Sequence, residues 1–118
     1  MKRMNRYNAR KIFSHKSIDE GEKIFLSRQV SMDTLIEMRF KKRTGWVATE
    51  SGYSRKIKDD EITIGRVKSK FVVKINGVFV QETPRSYKSI SQLKLEANDI
   101  WKQCYKKYLE TISHDARK

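Results

Sequence analysis

The chain has 118 residues, enough for one domain, and carries 27 Lys and Arg against 14 Asp and Glu, a formal charge of +13. Five Phe, five Tyr and two Trp exclude a wholly disordered basic tail, and no apolar run reaches the about 18–20 residues that cross a bilayer. Met1 opens a polar, basic stretch, so no secretory signal is expected. The single cysteine, Cys104, excludes a disulfide-stapled fold and points to a reducing, intracellular compartment, cytoplasm, nucleoid or nucleus.

Residues 1–16 hold Lys2, Arg3, Arg6, Arg10, Lys11 and Lys16 and no acid. They are expected to form a flexible basic arm that engages a polyanion, ahead of a single α+β domain over residues 17–118. Ser17-Ile18-Asp19-Glu20 fits a capping box that starts a short helix to about Arg28, with Ile24 and Phe25 inward. Residues 31–49 have two readings. Ser31 could cap a helix with Met32, Leu35 and Ile36 inward, but Ile36-Glu37-Met38-Arg39-Phe40-Lys41 alternates as a strand does. With Trp46-Val47-Ala48-Thr49 beyond the break at Gly45, a strand pair is the preferred reading. Residues 50–60 have loop chemistry.

Two β-rich runs, Phe71-Val72-Val73-Lys74-Ile75 and Val78-Phe79-Val80-Gln81, flank Asn76-Gly77, the preferred type I′ hairpin turn. That turn sets Ile75 against Val78, Lys74 against Phe79, Val73 against Val80 and Val72 against Gln81. Phe71, Val73, Ile75, Val78 and Val80 then share a core face, and Val72, Lys74, Phe79 and Gln81 the other. Upstream, Glu61-Ile62-Thr63-Ile64-Gly65-Arg66-Val67 reads as a third strand. A three-residue turn at Lys68-Ser69-Lys70 would put Arg66 on the non-core face and Gly65 on the core face, where a helix could approach closely. Pro84 ends the sheet, and Ser89-Ile90-Ser91-Gln92 is a second capping box. The helix that follows, to about Ile112, lines up Leu93, Ala97, Ile100, Trp101, Cys104, Tyr105 and Tyr108 on one face. The expected fold is α+β: a small antiparallel sheet of three or more strands, braced by a long C-terminal amphipathic helix.

Signatures of catalysis are scarce, and no enzyme activity, cofactor or metal is expected. His15 and His114 lack metal-site spacing, and the five glycines are too scattered for a phosphate loop. Cys104 falls on the apolar helix face as a packing residue. Asp59-Asp60-Glu61 is the one acidic cluster, and a metal-dependent nuclease built on it is the residual alternative.

The positive charge suits a nucleic-acid partner through counterion release. Phosphate contacts are expected from Arg3, Arg6, Arg10, Lys11, Lys41, Lys42, Arg43, Arg55 and Lys56. Arg66, Lys68, Lys70, Lys74 and Arg85 cluster about the hairpins, and Arg66, Lys74, Phe79 and Gln81 could meet base edges in a groove. The order strand, basic turn, strand, Asn76-Gly77, strand and long helix over residues 62–108 resembles AP2-type domains and the amino-terminal DNA-binding domain of tyrosine integrases. That resemblance implies a three-stranded sheet inserted into the major groove, with contacts on Arg66, Lys68, Val72, Lys74 and Gln81. The reading is therefore a non-catalytic nucleic-acid-binding protein, double-stranded DNA ahead of RNA. Two alternatives stand beside it. One is a small inhibitor or interaction module, of the kind viruses and mobile elements encode, docking on an acidic protein or nucleoprotein complex. The other is an RNA- or ribosome-associated protein whose Tyr7, Phe13 and Tyr53 stack on unpaired bases. No membrane partner is expected.

Overall fold

The structure, a computed structural model, describes residues 11–13, 17–40 and 45–116. The expected contacts Arg3, Arg6, Arg10, Lys41, Lys42 and Arg43 lie outside the described residues. Asn76 and Gly77 both take positive φ, 52° and 80°, the geometry of a type I′ turn, which matches the twist of the strands it joins. They connect β4 (Lys70–Ile75) to β5 (Val78–Pro84). Three further two-residue turns link β1 (Val47–Thr49), β2 (Gly52–Ile57), β3 (Asp60–Val67) and β4 into one antiparallel meander of five strands, in sequence order. Lys58 and Lys68 sit at the first turn position with φ of 57° and 56°.

The described residues also form the helices α1 (Glu20–Leu26), α2 (Met32–Phe40) and α3 (Ile90–Ala116). The α+β class, the antiparallel sheet and the long bracing helix are as expected. Helix α3 begins at the Ser89 capping box, where Ser89 Oγ accepts from Gln92 N at 3.2 Å and Gln92 Oε1 from Ser89 N at 3.0 Å. Its buried stripe holds Leu93, Ala97, Ile100, Trp101, Cys104, Tyr105 and Tyr108, and it continues past the expected end at about Ile112 to Ala116. Against it pack Ile57, Ile62, Ile64, Phe71, Val73 and Ile75 from one face of the sheet. Helices α1 and α2 pack on α3 and on each other. Ile12 and Phe13, at the end of the expected arm, belong to this core, and Phe13 meets the Tyr108 ring at 4.9 Å.

Several local expectations are corrected. Asp19, not Ser17, caps α1: its Oδ1 accepts from Glu22 N at 3.0 Å, while Glu22 Oε1 accepts from Asp19 N at 3.1 Å. Ile24 points outward, and Glu22 is the fully buried residue of that helix. Gly21 earns its place, because a Cβ there would sit 3.0 Å from both Leu35 Cδ1 and Arg39 Nη2 of α2. Residues 36–40 are helical, not a strand, since Ser31 Oγ caps Thr34 N at 3.1 Å and Leu35, Ile36 and Arg39 turn inward. Residues 52–57, read as loop, form β2.

The β3–β4 turn has two residues, so Arg66 pairs with Phe71 on the core-side face and Gly65 with Val72 on the other. No charge is buried by this, because Arg66 is exposed. Between β4 and β5 the register shifts after Lys74↔Phe79, leaving Val80 as the extra residue of a bulge. Gln81 therefore pairs with Val73 and faces the helix, not the open side.

The close approach belongs to Gly52, not Gly65. A Cβ at Gly52 would lie 1.8 Å from the Ile64 carbonyl oxygen. Gly52→Ala is expected to cost about 1–3 kcal/mol, because the β2–β3 backbone must move apart; urea denaturation measures it.

Burial pushes the Cys104 thiol up to about 12, and burial together with its bond to Glu22 raises the Tyr105 phenol. As pH rises the unfolded chain loses these protons first, so the folded state then binds more of them. Stability is full below the ordinary thiol value of 9.0 and falls above it, by about 1.4 kcal/mol per pH unit for each proton involved. Urea midpoints at rising alkaline pH should decline accordingly.

Candidate nucleic-acid interface

Strand alternation divides the charged side chains of the sheet between two faces. The face away from α3 carries Lys56, Lys70, Lys74, Val72, Thr63 and Phe79, with Glu61 and Glu82. Phe79 is 45% exposed, so the aromatic expected on this face is uncovered. Lys74 lies between Thr63 on β3 and Phe79 on β5 and has no carboxylate partner among the described residues. Lys70 Nζ meets Glu82 Oε1 at 3.5 Å with both side chains half exposed, an ion pair that adds little stability.

The turns sort charge along the strands as well. At one end, Arg85 folds back on the β3–β4 hairpin: its N donates to Ser69 O at 2.8 Å and its Nη1 to Lys68 O at 3.2 Å. Its guanidinium lies 5.8 Å from the Phe71 ring centre. Arg66 N donates to Ser51 O at 2.7 Å at the same end. Arg66, Lys68, Lys70 and Arg85, all exposed, thus lie at this end of the sheet, Arg66 on the core-side face and Lys70 on the other. At the opposite end lie Asp19, Asp59, Asp60 and Glu61, around a cleft of about 610 Å³.

Asp60 is turned inward, its Oδ2 accepting from Trp101 Nε1 at 3.1 Å and its Oδ1 from Asn76 Nδ2 at 3.1 Å. Glu61 falls on the other sheet face, and its N donates to Asn76 Oδ1 at 2.9 Å. Asn76 Nδ2 also donates to Ile12 O at 3.2 Å, so the turn residue ties its own hairpin to the start of β3 and to the Ile12 segment. Among the described residues no group of three or more His, Cys, Asp or Glu could hold a metal ion.

Two expected contacts occupy other roles. Gln81 Nε2 donates to Thr83 Oγ1 at 3.1 Å and to Glu96 Oε1 on α3, and Lys88 Nζ bonds Glu96 Oε2. Desolvation alone would raise the Glu96 carboxyl, but bonds from Lys88 and Gln81 and the Lys88 charge outweigh it and lower the pKa. Arg55 lies on the helix side of β2, its Nη1 donating to Asn98 Oδ1 at 3.0 Å and its guanidinium 4.3 Å above the Phe40 ring centre. Burial penalises its charged form and lowers its pKa. Lys56 and Lys11 are exposed.

Sequence reasoning missed the residues around Arg55. Lys102 lies 4.3 Å over the same Phe40 ring, and Lys94 lies 4.2 Å over Tyr53. Trp46 Nε1 and Arg55 Nε are buried without an acceptor among the described residues, each such group costing about 1–3 kcal/mol. The available signal was the position of Lys94 and Lys102 along one side of the apolar stripe of α3, from which long side chains can reach neighbouring rings.

No protein-family model, curated protein or solved structure matches the chain. No helix among the described residues is long and apolar enough to cross a membrane.

Proposed function

We propose that the protein binds nucleic acid without cleaving it, double-stranded DNA in preference to RNA, through the open face of β3–β5 and its basic end. The observation that carries this reading is the uncovered face holding Lys74 and Phe79, next to the exposed cluster of Arg66, Lys68, Lys70 and Arg85. A ribbon of strands of this kind fits the major groove. Lys74, Thr63 and Phe79 would meet base edges, and the hairpin cations would meet phosphates. Helix α3, behind the sheet, keeps the face rigid.

Fluorescence anisotropy with random duplex DNA, single-stranded DNA and RNA tests the reading. Duplex DNA should bind most tightly, and a stronger preference for either single strands or RNA would overturn the duplex assignment.

Docking on an acidic protein is the second reading, favoured by the exposed apolar side chains of Val67 and Phe79. It requires an aromatic anchor, so affinity would then survive high salt and vanish in Phe79→Ala.

A further inference from the structure

On the helix side of the sheet, β1, β2 and α3 gather N–H donors with little acid to answer them. The β1–β2 register pairs Val47 with Ser54; Trp46 directly precedes Val47, and Arg55 directly follows Ser54. Among the described residues, Trp46 Nε1 and Arg55 Nε are both buried and without an acceptor. Asn98 accepts from Arg55 Nη1. That leaves Nε on the Nε–Nη2 edge, the fork that matches two oxygens of a phosphate, with no acceptor among the described residues.

Two lysines of α3 lie on neighbouring rings. Arg55 and Lys102 both lie over Phe40, each 4.3 Å from the ring centre, and Lys94 lies over Tyr53 at 4.2 Å. Lys102 pairs with the exposed Glu37 at 3.3 Å, whereas Arg55 and Lys94 make no ion pair among the described residues. Donors held on aromatic faces, with Arg55 and Lys94 unmet by any carboxylate among the described residues, suit a multivalent oxyanion.

We propose that this flank is a phosphate-binding site. The Nε–Nη2 edge of Arg55 holds two phosphate oxygens, Trp46 Nε1–H holds a third, and Lys94 and Lys102 swing from their rings to balance the charge. The site stands on different residues from the duplex surface and does not depend on it. Its phosphate comes either from solution or from a nucleic-acid backbone passing round the edge of the sheet at β1.

The two tryptophans allow a direct test by indole N–H resonances of the ¹⁵N-labelled full chain. Trp101 Nε1 is already bonded to Asp60 and serves as the internal reference; Trp46→Phe assigns the two signals. Inorganic phosphate is titrated against sodium chloride at matched ionic strength. The Trp46 resonance should move saturably with phosphate alone, and Trp101 should stay in place. Arg55→Gln should weaken the response by about tenfold, since a charged bidentate contact is lost, with the Trp101 signal reporting that the variant is folded. Should that variant lose the folded signal, Lys94→Gln decides, with an expected weakening of several-fold. An equal response to chloride, no response, or unchanged affinity in the folded variants would overturn the site. A short duplex added last separates the sources. If it abolishes the phosphate response, the site holds backbone phosphate. If the response persists, the site takes free phosphate and holds even where the duplex reading fails.

Discussion

Arg39→Ala will destabilise the protein by about 3–5 kcal/mol, the cost of leaving a buried partner charge unanswered. Arg39 is 6% exposed and Glu22 fully buried. Arg39 Nη1 lies 3.4 Å from Glu22 Oε2, its Nη2 bonds Asp19 Oδ1, and its guanidinium sits 5.0 Å from the Tyr105 ring centre. Tyr105 OH donates to Glu22 Oε2 at 2.6 Å, and Lys58 Nζ meets Asp19 at 2.8 Å. This network joins α1 to α2, to α3 and to the β2–β3 turn, so its loss loosens the whole N-terminal half against the core. Tyr105→Phe removes one hydrogen bond to a charge and should cost less, about 1.5–3 kcal/mol. Replacing Glu22 and Arg39 together by leucine leaves no opposed charge in the core and should cost less than Arg39→Ala alone. Urea unfolding of the three variants measures the order. A loss below about 1 kcal/mol for Arg39→Ala would mean that water reaches the pair.

Changing Lys68, Lys70, Lys74 and Arg85 together to glutamine will weaken duplex binding roughly 100-fold at near-physiological salt and make the salt dependence shallower by about three to four units. All four side chains are exposed, so thermal stability should change little. The same number of substitutions at Lys23, Arg28, Lys106 and Lys107, exposed but away from the sheet, removes equal charge. Its effect on the slope should be much smaller if the open face is where phosphates lie. Equal effects of the two sets would assign binding to net charge and not to this face.

How far these conclusions were legible differs by element, for physical reasons. Asn76-Gly77 and the stripe of α3 were plain, since a positive-φ turn and a 3.6-residue period each demand particular residue types. Helix α2 was hidden because one of its three buried residues is Arg39, whose charge is met by Asp19 and Glu22 far back in the chain. Strand β2 was hidden in the same way: Arg55 takes an inward position that an apolar residue usually fills, held by Asn98 and Phe40. For Arg66 and Gln81 the strands were found but the faces were not. One residue in a turn, or one in a bulge, inverts every side chain beyond it. Lys68, Lys70, Lys74, Phe79 and Arg85 stay exposed through these inversions, while Gln81 bonds Glu96 on α3 and Arg55 lies on the helix side of β2.

Duplex affinity measured by anisotropy from about 50 to 200 mM salt tests the central claim most directly. The open-face account predicts tight binding at low salt, a steep linear fall of log affinity with log salt, and a shallower line for the hairpin variant. Absence of duplex binding at low salt, or affinity that holds across the salt range and depends on Phe79 alone, would contradict it.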